Sequence, residues 1–277
     1  MNNGSRPTRL SHKDFDLHRS FGNIAPVSFP TEYFVDAGFT MPNQVEEGEP
    51  FGCTNYAQAE LTTDLTGEIH HPQDLEAVTH ANALRGYDVR ESLNAACKSL
   101  KWFTAYYNIR SSGIIDSFDA FRLAQISGLP EKRSITLGTP WFPSWKAAMY
   151  GSIFIQNADG TYTTMGGGVK SIIMPMPTEA ELSVARRDPL SLTWHDSKLD
   201  GWTTRNGVLL YRDKSWQGPN IGEGGFIYFP REVINVVMSI PRTVAYTITN
   251  QTPEKVQTVS LSAVQWITSY IRHLLGL

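Results

Sequence analysis

Two neighbouring stretches carry the clearest structural signal in the sequence: Val208-Leu-Leu-Tyr-Arg-Asp-Lys-Ser-Trp-Gln-Gly218 and Gly222-Glu-Gly-Gly-Phe-Ile-Tyr-Phe229. Each contains a run of aliphatic, β-branched and aromatic residues, and a glycine-rich polar segment joins them. This pattern predicts two strands connected by a turn. Similar runs recur between Ser134 and Thr249, so we predict that the second half of the chain is mostly β-structure.

The first half of the chain has helical spacing instead. Apolar residues recur at three- and four-residue intervals from Cys53 to about Gly67, from Val89 to about Phe103, and from Ser117 to Ile126. Helices followed by strands predict an α+β fold whose two halves meet at a cleft. Cys53 lies at the start of the first helix, where the helix dipole and free N–H groups favour a thiolate.

Composition excludes several classes of protein. The 277 residues are 41% hydrophobic and 18% charged, which is typical of a globular protein with its own core. The 24 Lys and Arg against 27 Asp and Glu give a net charge of -3, too weak a field for nucleic-acid binding. Two cysteines, Cys53 and Cys97, do not make a disulfide framework.

We predict three regions: a polar tail at 1–28, a folded domain at 29–240, and a C-terminal extension at 241–277. The extension contains an amphipathic helix, Val256 to Leu277, whose apolar face is expected to contact the body or another subunit. Its polar face has few Lys or Arg, so membrane association is not expected. Because the first ten residues lack an apolar core, we expect no signal peptide and a cytoplasmic or virion-associated protein.

Cys53 and His195 are the candidate reactive pair, because a nucleophilic thiol needs a base. His195 follows Cys53 by 142 residues (195 − 53) and lies among predicted strands, before a turn predicted at Asp200-Gly201. The other histidines lie in polar or terminal segments without the ligand spacing of a metal site, so no metal or cofactor is expected. They are His12, His18, His70, His71, His80 and His273.

Four motifs in the same order resemble those of papain-like cysteine peptidases, which place a His ~130–150 residues after the catalytic Cys. The motifs are Pro42-Asn-Gln44 with Phe51-Gly-Cys53-Thr-Asn-Tyr-Ala57, Arg85-Gly-Tyr-Asp-Val-Arg-Glu-Ser-Leu93, His195 to Gly201-Trp202, and Ser215-Trp216 with Gly222-Glu-Gly-Gly-Phe226. The resemblance spans roughly Phe29 to Ile234. It implies a papain-like fold: a helical half, an antiparallel β-barrel-like half, and the active-site cleft between them.

The resemblance also implies amide hydrolysis by a thiolate–imidazolium pair, with Cys53 attacking the carbonyl carbon and His195 protonating the leaving amine. Gln44 would donate to the oxyanion beside the Cys53 backbone N–H. The loop between them carries an insertion at 45–49, and Gln58 is a poorer substitute because it lies inside the predicted helix.

The residues that the resemblance implies at the cleft are Gly86, Tyr87, Trp194 and Trp216. They would bind a peptide or protein substrate, with peptidoglycan peptides among the candidates. No nucleic acid, metal or cofactor takes part in the implied reaction.

The residue that would orient His195 departs from the family pattern. Ungapped alignment on Ser215-Trp216 places Lys214 where the family has Asn, and a Lys offers no hydrogen-bond acceptor. Asp213 would serve if the strand bulges, and Lys214 would then be dispensable. The segment 196–200 is also more polar than the family's strand. Either this strand has other partners, or the catalytic constraint has been relaxed.

Two functional classes follow from these patterns. The first is a cysteine peptidase of bacterial or viral type, or a related acyl-transfer enzyme; the intact Cys53 and His195 favour it. The second is a catalytically inactive papain-fold protein that serves as a structural or binding subunit, for example of a viral particle. Lys214 and the polar strand favour this alternative.

Overall fold

The computed structural model describes residues 5–6, 15–16, 29–35, 52–79, 86–111, 115–126, 133–156, 162–166, 171–214 and 221–251. The predicted amphipathic helix, Gln44 and Trp216 lie outside these residues. So does most of the predicted N-terminal tail.

Seven helices occur in the described residues. They are α1 (Cys53–Thr66), α2 (Pro72–Val78), α3 (Val89–Asn94), α4 (Ser117–Ile126), α5 (Pro143–Tyr150), α6 (Glu179–Arg187) and α7 (Arg231–Met238). The predictions for α1 and α4 are confirmed. The helix predicted to reach Phe103 is shorter, because α3 passes into a π-helical turn at Ala95–Ser99 and a strand begins at Ala105.

The described strands are β1 (Ser5–Arg6), β2 (Phe15–Asp16), β3 (Tyr33–Phe34), β4 (Tyr87–Asp88), β5 (Ala105–Asn108), β6 (Ile135–Pro140), β7 (Ser152–Gln156), β8 (Tyr162–Gly166), β9 (Trp194–Arg205), β10 (Val208–Lys214), β11 (Phe226–Pro230) and β12 (Val244–Thr249). The main sheet has the order β11-β10-β9-β6-β12-β5-β2, and β3 pairs with β9. Its pairs are antiparallel except β2 with β5. The sheet includes β12, beyond the domain boundary predicted at residue 240.

Each face of the main sheet packs against different helices. Leu137 and Leu199 belong to a large cluster that also contains aromatic side chains of α4 and α5. Val244 and Tyr246 pack with Leu61 of α1 and with residues of α3. The helix that begins at Cys53 therefore lies against one face of the sheet, across from α4 and α5. This arrangement confirms the predicted α+β architecture.

The turn predicted at Asp200-Gly201 is wrong. Strand β9 runs without interruption through Gly201, and the chain reverses at Asn206 and Gly207, both with positive φ. Gly201 is required by close packing instead: a Cβ at this position would lie 1.9 Å from the Tyr33 carbonyl oxygen on β3.

Gly201→Ala is therefore expected to force β3 away from β9 and to lower the free energy of unfolding by about 3 kcal/mol. Trp202, whose ring stacks on Tyr33 at 4.8 Å, should become more exposed. Urea unfolding and tryptophan fluorescence measure the two effects. Gly67→Ala is the control for backbone strain alone, because its Cβ would meet no atom within 4 Å; we expect about 1 kcal/mol there. Equal losses in both variants would refute the packing argument.

Candidate active site

Cys53 is the first residue of α1, directly after Gly52, so the predicted position at a helix N-terminus is confirmed. The side chain is 0% exposed. Its sulfur accepts hydrogen bonds from the backbone N–H of Asp196 and from Thr54. The sulfur thus lies against the backbone of the residue that follows His195, and the fold brings together the two segments predicted to carry the reactive pair.

The predicted preference for a thiolate is not met in this conformation. Burial, and after it the negative charge of Asp196, raises the pKa of Cys53 to about 12, although the hydrogen bonds to the sulfur act in the opposite direction. Burial and the Asp196 charge therefore outweigh the hydrogen bonds to the sulfur. Cys53 is a neutral thiol in the structure as it stands.

His195 is also 0% exposed and lies near the start of β9, opposite Thr139 of β6. The centre of its ring is 4.4 Å from that of Trp141. Side chains alternate along a strand, so His195 points to the Trp141 side of the sheet and Asp196 points to the α1 side. The side chains of His195 and Asp196, which are adjacent in sequence, therefore point to opposite faces of the sheet.

The polar residues after His195 do have other partners, which was one of the two alternatives left open by the sequence. The Asp196 carboxylate accepts hydrogen bonds from Thr136 Oγ1 at 2.6 Å and from Gln58 Nε2 at 3.2 Å. Burial raises the pKa of Asp196 to about 8. Gln58 lies inside α1, as predicted, and its amide is engaged with Asp196 and Thr136.

Asp213 does not take the place predicted for it beside the imidazole. It pairs with Leu199, which lies four residues beyond His195 on β9. Four residues of a strand correspond to about 13 Å between His195 and Leu199. The Asp213 carboxyl accepts a hydrogen bond from Ser197 Oγ. The register of β9 and β10 does shift here, but the extra residue is Asp200 on β9. Burial raises the pKa of Asp213 well above its ordinary value.

Lys214 points away from His195, towards α1. Its Nζ donates to Glu60 Oε1 at 2.7 Å. Lys198, directly opposite on β9, contacts Asp64 at 2.8 Å and Glu60 at 3.5 Å. Removal of Lys214 would leave the buried Glu60 carboxylate with Lys198 alone, so Lys214 has a structural partner on α1. The expectation that activity does not depend on Lys214 stays a prediction.

Neither a family model nor a curated protein matches the sequence. Solved structures do resemble it. The crystal structure of xylellain, a cysteine protease from Xylella fastidiosa, has a TM-score of 0.58 at 13% identity over 91% of this chain and 97% of that one. Recombinant stem bromelain precursor gives 0.52 at 14% identity, over 90% and 78%. Procathepsin L2 proteinase from the larval midgut of Tenebrio molitor gives 0.51 at 13% identity, over 90% and 74%.

The chain has a papain-like fold. At these identities the similarity establishes the architecture, a set of helices and an antiparallel sheet of the kind found in papain-like cysteine proteases. It does not extend to the roles of individual residues. The fold predicted from the four motifs is thus confirmed.

The residues predicted to line the cleft of this papain-like fold are buried where they are described. Gly86 has a φ of +67° and Tyr87 is 8% exposed. The Tyr87 carbonyl accepts a hydrogen bond from Thr54 Oγ1 at 3.4 Å, so this segment lies beside the start of α1. Trp194 is 2% exposed, and its indole N–H donates to the Pro189 carbonyl at 2.7 Å.

In the described part of the chain, no group of three or more His, Cys, Asp or Glu side chains is arranged to hold a metal ion. None of the helices in this part has the length and apolar character needed to cross a membrane.

Proposed function

We propose that the protein is a cysteine peptidase that hydrolyses an amide bond with Cys53 as the nucleophile and His195 as its base. The observation that supports this most directly is the position of the Cys53 sulfur. It lies at the N-terminus of a helix and accepts a hydrogen bond from the backbone beside His195, in a papain-like fold. The substrate class is a peptide or a protein.

In the proposed reaction, His195 takes the proton from the Cys53 thiol, and the sulfur attacks the carbonyl carbon. Free N–H groups at the start of α1 stabilise the oxyanion, together with Gln44 in the role proposed for it. The imidazolium then protonates the leaving amine, and the acyl group stays on sulfur. His195 next activates water, which releases the acid and restores the thiol.

Both proposed catalytic side chains are 0% exposed. A substrate can therefore reach the Cys53 sulfur only after a movement of the surrounding protein exposes this side chain. The raised pKa of Cys53 fits a resting thiol that becomes a nucleophile after this movement, because access of water and substrate reduces the cost of desolvation. We infer that opening precedes proton transfer to His195.

A peptidyl electrophile directed at thiols tests the proposal. We expect one label per molecule, on Cys53, with no label on the Cys53→Ala protein and slow labelling of His195→Ala. Cys97, which is partly exposed and whose pKa is raised by burial, is the internal control for a thiol outside the proposed site. Mass spectrometry of peptides locates the label. Equal labelling of the two cysteines, or labelling only after denaturation, would instead support the catalytically inactive subunit.

A further inference from the structure

Asp196 acts on Cys53 through both its backbone and its side chain. The backbone N–H donates to the Cys53 sulfur, while the negative charge of the carboxylate opposes ionisation of the same sulfur. The carboxylate is fixed by Gln58, from the helix that carries Cys53, and by Thr136 of β6. Asp196 is 0% exposed, so water does not screen its charge.

We propose that Asp196 is a positioning residue that tunes the ionisation of Cys53, such that the thiolate forms more readily while the Asp196 carboxyl is uncharged than while it is charged. The inference rests on the proposed role of Cys53 as the nucleophile. It adds a residue to the site that neither the motifs nor the fold similarity assigns.

The geometry directs the effect of this charge to the thiol. Asp196 points to the α1 side of the sheet, where Gln58 from the helix that begins with Cys53 holds its carboxylate, whereas the His195 ring packs against Trp141. A charged Asp196 is therefore held towards the helix that carries the thiol, and it disfavours the thiolate.

The neutral carboxyl can also be accommodated in its pocket. Gln58 Oε1 is buried without a hydrogen-bond partner. A half-turn of the Gln58 amide would place this oxygen next to Asp196, where it could accept the proton of the acid.

Other charged groups around Asp196 have defined positions. Asp88 of β4 and Asp213 of β10 interact with it as like charges. Lys198, on the same strand, and Lys214, on β10, are held in ion pairs with Glu60 of α1. Burial is the main cause that raises the pKa of Asp196 to about 8, so its charge changes within the pH range of ordinary assays.

The test measures the rate at which iodoacetamide alkylates Cys53, relative to Cys97, from pH 6 to pH 9.5 in the full-length protein. In the wild type, the rate at Cys53 should rise less steeply than that at Cys97 once the pH passes about 8. Asp196→Asn keeps the size and removes the charge. At pH 9 it should alkylate at Cys53 about tenfold faster or more.

Asp188→Asn, at an exposed position, is the matched control and should leave the profile unchanged. Thr136→Val is the second variant if Asp196→Asn does not fold. It removes a hydrogen bond that favours the charged carboxylate, so Cys53 should again react faster at pH 8–9.

Equal Cys53 rates in the wild type and in both variants, including no reaction in any of them, would overturn the proposal. Alkylation requires no amide hydrolysis. A protein that cleaves no substrate but shows the Asp196→Asn shift would therefore refute the proposed function and leave this inference standing.

Discussion

His195→Ala is expected to lower kcat/KM for a peptide amide by about 10³-fold or more, because removal of one member of a nucleophile–base pair disables the pair. The imidazole is the group proposed to accept the Cys53 proton and to return it to the leaving amine. His195→Gln fills most of the same space against Trp141 without a basic nitrogen, so it should be equally inactive. Turnover of a fluorogenic peptide, with circular dichroism of each variant, gives the measurement.

His70 is the matched control for this experiment. It is another histidine packed on a tryptophan, with its ring centre 4.7 Å from that of Trp102. Its position after α1 is remote from the Cys53 end of that helix. His70→Ala should therefore keep wild-type kcat/KM. If His195→Ala stayed within about tenfold of the wild type, or if His70→Ala lost as much activity, His195 would not be the base.

Helices α1 and α4 could be predicted because their signals are local. Each has apolar residues at helical intervals, and the C-terminal stop of α1 is a glycine at Gly67 with a φ of +74°. The passage of β9 through Asp200 and Gly201 could not be predicted in this way. The Asp-Gly pair has the composition of a turn, but its glycine is needed for the approach of β3 from a distant part of the chain.

Only the parts of the site that belong to a family motif could be predicted from the sequence. The family motifs identified the Cys53 and His195 segments as parts of one site. The hydrogen-bond partners of Asp196, which are Thr136 and Gln58, lie 60 and 138 residues away in sequence, so local residue spacing does not indicate them. The direction of Asp213 and Lys214 depends on strand register, since a shift by one residue moves a side chain to the other face. The extra residue at Asp200 determines that register, and only the paired strands show it.

The polar strand therefore has a structural role that the sequence did not reveal. Lys198 is 3% exposed and joins β9 to α1 through Asp64 and Glu60. Burial lowers the pKa of Lys198, but these two carboxylates outweigh it and raise the pKa above its ordinary value. The lysine is thus charged, and its ion pairs hold the helix that presents Cys53 against the strand that presents His195.

Lys198→Met is expected to lower the free energy of unfolding by about 3–5 kcal/mol, because it leaves two buried carboxylates with one lysine, Lys214. Urea unfolding at pH 7 measures the loss, and Lys98→Met, at an exposed position, should change stability by less than about 0.5 kcal/mol.

The loss should also depend on pH. Burial already raises the pKa of Glu60, and without Lys198 this pKa is expected to lie still further above its ordinary value in the folded state. The contribution of Glu60 to the stability of the variant is then present at low pH and is lost as the pH rises through that value. The variant should therefore be closer to the wild type at pH 5 than at pH 7, and adding Asp64→Asn to Lys198→Met should recover part of the loss. A Lys198→Met protein as stable as Lys98→Met at pH 7 would show that these ion pairs do not hold α1 to the sheet.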